Sequence, residues 1–250
     1  MTGSIDPIAA AGFGAEAATY ERGRPSYPEA AVGHLVDQLE LGVGCRVLDL
    51  AAGTGKMTRL LLATGADVVA VEPVAAMRVQ LHNALGVEAL EGTAEAIPLP
   101  DASVDAVVVA QAFHWFDAPR ALAEIVRVLR PGGALALVWN ERDETVPWVA
   151  ELGRIIHWNT RQPYRVGTDW RTVIDPVGVC TPLQHRRFQH VQEVDVELLL
   201  ERVVSTSYIA AMAPEERRPI LEGVRALVAA FPPRFPLHYD TDVWWCRALT

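Results

Sequence analysis

Short, almost continuously apolar segments alternate with helical patterns through the first 140 residues of the chain. Four of these segments are Arg46–Leu50, Asp67–Glu72, Val104–Ala110 and Ala134–Trp139, and a shorter one spans Val87–Leu90. Strands that are apolar at successive positions are typical of parallel sheets covered by helices on both faces. Because crossovers between parallel strands are right-handed, the pattern predicts an open, doubly wound α/β sheet.

Helical periodicity fills the gaps between these strands and returns after them. The predicted helices cover 28–39, 56–63, 73–86, 117–129, 196–211 and 215–230. The segment Leu237–Trp245 instead alternates apolar and polar residues, which predicts an antiparallel last strand with one wetter face. The stretch 141–187 breaks the α/β pattern and is rich in tryptophan and arginine. We interpret it as a small insertion that forms a lid over the site.

These patterns predict a single domain over residues 1–250. Residues 1–27 are expected to form an N-terminal segment, 28–140 the first part of the core, 141–187 the lid insertion, and 188–250 the rest of the core. No apolar stretch approaches the ~20 residues that a membrane helix needs, and residues 1–11 do not resemble a signal peptide. We therefore expect a cytoplasmic protein without membrane contacts.

The charge and the cysteines exclude several classes of partner. The formal charge is −9 and the chain has no basic stripe, so a nucleic-acid partner is not expected. The three cysteines lie far apart, which indicates a reducing compartment and no zinc site. His157, His185 and His190 lack ligand spacing, so no metal is predicted.

The loop Asp49–Gly55 follows the first strand and precedes a helix, as nucleotide-binding loops do. A P-loop is excluded, because Leu50 replaces its first glycine and Met57 follows Lys56. A dinucleotide-binding loop is disfavoured, because Thr58 occupies the position of its third glycine. Glu72 lies about 20 residues on, where several cofactors place a ribose-binding acid. From the loop alone, a plain turn between strand and helix also remains open.

Several motifs follow one another in a fixed order along the chain, at 20–28, 49–55, 72–73, 92–105, 111–116, 129–133 and 205–208. Together they resemble class I S-adenosylmethionine (SAM)-dependent methyltransferases of the type-11 methyltransferase-domain family, which includes trans-aconitate methyltransferase-like enzymes. The resemblance implies a Rossmann-like, mostly parallel sheet of seven strands with an antiparallel last strand. It also implies SAM as cofactor, with S-adenosylhomocysteine as its product.

The resemblance further implies a set of cofactor-binding residues. They are Tyr20, Arg24, Asp49, Ala51, Gly53, Gly55, Glu72, Pro73, Met77, Thr93, Ala94, Glu95 and Gln111. By resemblance, Asp49 would face the ammonium group of SAM, and Tyr20 and Arg24 its carboxylate. The resemblance thus implies that residues 28–140 form the SAM-binding core, that residues 1–27 fold over the cofactor, and that 141–187 form the substrate lid. A carboxylate such as Glu72 suits the ribose diol, because it can accept two charge-assisted hydrogen bonds. Ala51 and Thr93 depart from the family, which usually has Gly and often Asp at these positions.

The acceptor site is expected after the apolar segment Val104–Ala110. His114 follows that strand at the ligand-binding edge, and its ordinary pKa near 6.5 suits a catalytic base, although a substrate hydrogen bond or simple packing remain open. Substrate contacts are also predicted for Trp115, Trp158, Arg165 and Trp170. Gln111-Ala-Phe-His114 lacks the Asn/Asp-Pro-Pro-aromatic motif of enzymes that methylate exocyclic amines of bases or glutamine amides, which argues with the −9 charge against a nucleic-acid acceptor. The leading hypothesis is methyl transfer to an oxygen of a small molecule, either a carboxylate or a hydroxyl.

Two other functions compete with this reading. The first is a SAM-binding protein without turnover, such as a sensor or partner subunit. The second is a nicotinamide-dependent oxidoreductase, which is disfavoured because the chain has no Tyr-x-x-x-Lys pair and its one lysine, Lys56, lies in the glycine loop. The expected assembly is a monomer or homodimer.

Overall fold

The structure, a computed structural model, describes residues 23–161, 174 and 178–249. The helices are α1 (Glu29–Leu39), α2 (Lys56–Leu62), α3 (Ala75–Leu85), α4 (Ala118–Val128), α5 (Pro147–Ile155), α6 (Trp158–Arg161), α7 (Val196–Val204), α8 (Ser207–Ala210) and α9 (Pro214–Leu227). The strands are β1 (Arg46–Leu50), β2 (Asp67–Val71), β3 (Val104–Ala110), β4 (Leu129–Arg142), β5 (Gln184–Val194) and β6 (Phe235–Arg247).

The strands form one sheet in the order β2-β1-β3-β4-β6-β5. Strands β1 to β4 are parallel, whereas β6 runs antiparallel to β4 and β5 runs antiparallel to β6. The doubly wound α/β fold with an antiparallel last strand is therefore confirmed. The carboxyl ends of β1, β2, β3 and β4 meet at one edge, which is where such sheets bind ligands.

The expected number of seven strands is wrong for the described residues, which form a six-stranded sheet. The predicted strand Val87–Leu90 contributes only an isolated bridge between Leu90 and Val71. Leu90 donates to Ala70 O and accepts from Glu72 N, and the chain then leaves the sheet. Since Thr93 pairs with Ala96 in a tight turn, the segment turns away before a longer ladder can form.

Alternating residues of the central strands build apolar layers on both faces of the sheet. On one face, Val107 and Val109 pack with Leu122 and Ile125 of α4. On the other face, α1 and α2 cover Val47, Ala106 and Val108. Every one of these strand residues is essentially inaccessible to solvent. Burial on both faces explains why the strand segments of the sequence are apolar throughout.

A third apolar cluster joins the C-terminal helices to the sheet. Val149 and Leu152 of α5 pack with Val203 of α7 and Val224 of α9 against Tyr239 of β6. The helix predicted over 196–211 is in fact two helices, α7 and α8. They separate because Ser205 Oγ donates to the Arg202 carbonyl and Thr206 adopts an extended conformation.

The described ends of the predicted insertion are packed against the core. β4 extends to Arg142, and α5 begins at Pro147. β5 begins at Gln184, so residues 184–187 of the predicted lid belong to the sheet. The stretches 1–22, 162–173 and 175–177 lie outside the described residues. Closure of a lid formed by the insertion and the N-terminal segment stays a prediction.

Candidate functional site

A solvent-open cleft lies at the carboxyl ends of β1 and β3. The residues that line it come from the N-terminal segment, the glycine loop, the ends of β3 and β4, and α7. They are Arg24, Pro25, Tyr27, Asp49, Ala51, Ala52, Gly53, Thr54, Lys56, Met57, Ala110, Gln111, Asn140 and Arg202. The cleft thus brings together six of the predicted cofactor residues: Arg24, Asp49, Ala51, Gly53 and Gln111 line it directly, and Gly55 lies in the same loop.

Asp49 is the only carboxylate among the described residues that line the cleft. Its side chain is buried, and Oδ2 accepts a hydrogen bond from Thr58 Oγ1 at 2.6 Å. Oδ1 has no hydrogen-bond partner within the described part of the chain. Burial raises the pKa of Asp49 to about 7, opposed by the Thr58 bond and increased by the nearby Glu72 charge. A buried oxygen without a donor fits a ligand that brings a cation or an N–H group.

The glycine loop turns sharply between Asp49 and α2. Ala51, Gly53 and Gly55 have φ values of 60°, 57° and 90°, all in the left-handed region. A Cβ on Gly55 would come within 2.8 Å of Leu85, whereas a Cβ on Gly53 would meet nothing within 4 Å. Gly55 is therefore needed for packing against α3. The open space beside Gly53 leaves room for a ligand to approach the backbone.

Replacing Ala51 with glycine is expected to stabilise the protein by about 0.5–1 kcal/mol. The left-handed conformation costs an alanine roughly 1–2 kcal/mol, and the greater freedom of glycine in the unfolded chain offsets part of the gain. Urea unfolding measures the difference. Ala52→Gly is the matched control, because Ala52 has no positive φ and should lose about 0.5–1 kcal/mol on the same change. Equal destabilisation in both variants would contradict the prediction.

Glu72 follows β2 directly. It does not line the cleft but is hydrogen-bonded to Gly53, which does. Its Oε2 accepts from Gly53 N at 2.9 Å and its Oε1 from Val74 N at 2.8 Å. Burial raises the pKa of this carboxyl, although both backbone bonds oppose the rise. Each oxygen retains a lone pair, so the carboxylate can hold the glycine loop and still accept from a diol. The described residues thus fit the ribose and ammonium groups of SAM.

The predicted adenine-side residues lie beyond Glu72 and do not line the described cleft. Met77 and Ala94 are buried, and Pro73 is half-buried. Thr93 Oγ1 is shielded and has no hydrogen-bond partner among the described residues. Glu95 Oε1 instead accepts from Asp117 N at 2.9 Å, which supports the start of α4. Glu95 therefore has a structural contact as well as its predicted cofactor role.

Gln111 and Asn140 connect the ends of β3 and β4. Gln111 has a φ of 59°, and its Nε2 donates to the Asn140 carbonyl at 3.0 Å. Asn140 in turn accepts from Thr241 Oγ1 at 2.6 Å and donates to the Ser26 carbonyl at 3.1 Å. The N-terminal segment is thereby attached to the sheet edge. This places Arg24 and Pro25 over the cleft.

His114 lies in a short 3-10 turn, Phe113–Trp115, just after β3. The residue is half-buried, but its Nδ1 is shielded from solvent, and its ring packs 4.9 Å from that of Trp115. Burial, with a smaller contribution from the Arg24 cation, lowers the pKa of His114 to about 3. The imidazole is therefore neutral at pH 7. A nitrogen with so low a pKa is a weak proton acceptor but can still make hydrogen bonds.

Other predicted substrate residues lie away from the cleft or outside the described residues. Trp158 is buried in the C-terminal cluster, where the Arg142 guanidinium lies 4.2 Å from its ring centroid. Its position is that of a packing residue. Tyr20, Arg165 and Trp170 fall outside the described residues, so their roles stay predictions.

The cleft also contains residues that the sequence did not single out. Tyr27, Thr54, Asn140 and Arg202 line it, together with Lys56. Arg202 belongs to α7, about 150 residues after the glycine loop, and no local pattern relates the two. The lining residues carry three cations, Arg24, Lys56 and Arg202, against the single carboxylate of Asp49. The cleft is thus locally positive in a chain whose formal charge is −9.

Known proteins resemble this chain over most of its length. The profile of the methyltransferase-domain family matches residues 48–137. An uncharacterized methyltransferase of Mycobacterium tuberculosis is 46% identical over 224 residues, covering 88% of this chain and 86% of that protein. A methyltransferase-like protein of Schizosaccharomyces pombe is 35% identical over 233 residues, covering 92% and 89%.

A solved structure from Anaeromyxobacter dehalogenans, assigned as a type II methyltransferase, has a similar fold. Its TM-score is 0.66 at 28% identity, and the match covers 90% of this chain and 97% of that one. Among the described residues, no helix combines the length and the apolar character needed to cross a membrane.

Proposed function

The chain belongs to the family of SAM-dependent methyltransferases, and we propose that it methylates a carboxylate oxygen of a small-molecule acceptor. The cofactor, SAM, follows from the family. The acceptor is our own inference, and two observations support it. They are the excess of positive charge in the cleft and the low pKa of His114, which does not line the cleft but is influenced by the Arg24 cation that does.

The first support is the charge of the cleft. Arg24 lines the cleft and also lowers the pKa of His114, so its guanidinium lies near both the cofactor side and the imidazole. A guanidinium binds carboxylates through directed hydrogen bonds. One oxygen of an acceptor carboxylate could be held by Arg24, while the other stays free to attack.

The second support, and the observation that carries the proposal, is the state of His114. A hydroxyl acceptor must lose its proton near the transition state, which calls for a base with a pKa near the working pH. His114, with a pKa of about 3, is poorly suited to remove a hydroxyl proton. A carboxylate is already ionised at pH 7 and needs no base. The expected catalytic base is therefore replaced in this proposal by a neutral hydrogen-bonding residue.

The sulfonium of SAM supplies a methyl group that is activated for displacement. The residues of the chain then align and shield the reactants. Asp49 would hold the ammonium group and Glu72 the ribose, while the glycine loop allows close approach. His114 and Arg24 would orient the acceptor. Since Arg24 Nη2 donates to the Ser205 carbonyl at 3.1 Å, the N-terminal segment is held against α7 and covers one side of the cleft.

Turnover on matched acceptors tests the proposal. We expect methyl transfer to members of a carboxylic-acid library and none to the corresponding alcohols and phenols. His114→Gln should lower kcat/KM by roughly 5- to 20-fold, the loss of about one hydrogen bond, with no change in the pH dependence between pH 6 and 8. Transfer to phenols, with a pH limb near neutrality that disappears in His114→Gln, would establish a hydroxyl acceptor and a catalytic base.

A further inference from the structure

Arg202 is a buried cation that faces the cofactor cleft. It lies on α7, lines the cleft, and has only 2% of its surface exposed. Its Nε donates to Tyr239 Oη at 3.1 Å. Its Nη1 is shielded from solvent and has no hydrogen-bond partner among residues 23–161, 174 and 178–249. Within the same ranges, no carboxylate forms an ion pair with the guanidinium.

Such a group is costly unless something compensates it. A buried guanidinium loses its hydration, and the loss is repaid only by a partner of opposite charge or by hydrogen bonds to its remaining protons. Tyr239 satisfies one N–H and, being itself buried, fixes the direction of the side chain. The remaining N–H groups of the Arg202 guanidinium are therefore oriented to donate to an anion that enters the cleft.

The composition of the cleft indicates which anion this is. An α-amino acid carries an ammonium and a carboxylate on the same carbon. The cleft presents the complementary pair, the buried carboxylate of Asp49 with its unpartnered Oδ1 and the buried guanidinium of Arg202. Both line the same cleft beside the glycine loop.

We propose that Arg202 binds the carboxylate of the methionine part of SAM and that Tyr239 positions it. The assignment rests on SAM being the cofactor and is independent of the acceptor proposed above. Arg24, whose Nη2 donates to the Ser205 carbonyl near the same end of α7, is then assigned to the acceptor instead of the SAM carboxylate that the resemblance implied for it.

The test compares two ligands that differ only in the carboxylate, S-adenosylhomocysteine and its decarboxylated analogue, by calorimetry. The wild-type protein should bind S-adenosylhomocysteine at least ~10-fold more tightly than the analogue. In Arg202→Met this preference should fall to within about twofold, because only the ligand with the carboxylate loses an interaction. The affinity for the analogue itself should be nearly unchanged.

Two further variants separate binding from packing. Arg217→Met is the matched control, since Arg217 donates to the Ala210 and Met212 carbonyls on α8 and beyond it, outside the cleft. It should leave the preference unchanged. Tyr239→Phe removes the hydroxyl that positions Arg202 and should reduce the preference for S-adenosylhomocysteine by about two- to fivefold. This variant also tests the proposal if Arg202→Met does not fold. Equal losses for both ligands, or an unchanged preference in Arg202→Met and Tyr239→Phe, would overturn the proposal.

Discussion

Replacing Asp49 with asparagine is expected to weaken SAM binding by ~10- to 100-fold and to stabilise the ligand-free protein above pH 7. A hydrogen bond to a charged group contributes roughly 1.5–3 kcal/mol, and the ammonium of SAM would lose that interaction. Asparagine can still accept from Thr58, so the loop geometry should survive. Calorimetry with SAM and urea unfolding without ligand measure the two effects.

The expected gain in stability follows from the raised pKa of Asp49. Folding moves this pKa from 3.8 to about 7, so the folded protein binds a proton more readily than the unfolded chain. Stability from this group is therefore greatest below pH 4, is lost as the pH rises to about 7, and stays low above it. One pKa unit corresponds to ~1.4 kcal/mol, which gives an upper bound of about 4 kcal/mol for the penalty. Asp49→Asn should remove that pH dependence.

The pH dependence of binding provides a control for Asp49. In the wild-type protein, SAM affinity should fall as the pH drops below about 7, since the ammonium needs the ionised carboxylate. Thr58→Val removes a bond that lowers the pKa, so the fall should begin at a higher pH in that variant. A variant Asp49→Asn with wild-type affinity and an unchanged urea midpoint would remove Asp49 from the ammonium site.

Glu72→Ala should lose at least ~10-fold in SAM affinity and about 2–4 kcal/mol of stability. The side chain accepts from both Gly53 N and Val74 N, and its removal leaves two part-buried N–H donors without their acceptor. The ribose would lose its carboxylate at the same time. Calorimetry and urea unfolding on the same samples report both losses.

Glu124→Ala separates the two roles of such a carboxylate. Glu124 Oε2 accepts from Ile97 N at 2.9 Å but does not line the cleft. This variant should lose stability and keep the affinity of the folded protein for SAM. If Glu72→Ala behaved in the same way, Glu72 would be a loop-supporting residue and not a ribose ligand.

The parallel part of the sheet could be predicted from the sequence because burial on both faces leaves a strong apolar signal. Strands β1, β2, β3 and the middle of β4 coincide with the predicted segments. Strand β5 was missed for the opposite reason. It is an edge strand, and Gln184, His185, Arg186 and Arg187 at its start are exposed. Edge strands often carry polar residues that discourage pairing with other chains, so periodicity does not reveal them.

The candidate site was predictable where it depends on local sequence. The loop Asp49–Gly55 and Glu72 come from two successive strand ends, and the structure joins them through the Gly53–Glu72 hydrogen bond. Asn140 and Arg202 could not be found in this way. Asn140 acquires its role through Ser26 and Thr241, more than 100 residues away in each direction. Only the fold brings such residues together.

The position of β6 between β4 and β5 affects the order in which this enzyme can fold while it is being synthesised. Chains fold largely from the N-terminal end as they emerge. Within the sheet that the described residues form, however, β5 pairs with β6 alone, and β4 keeps an open edge until β6 arrives. Thr241 and Tyr239 of β6 also orient Asn140 and Arg202. A nascent chain that ends before residue 235 would contain the whole glycine loop but an unfinished cleft. Ligand binding should therefore appear late in synthesis, together with protection of the exposed β4 edge.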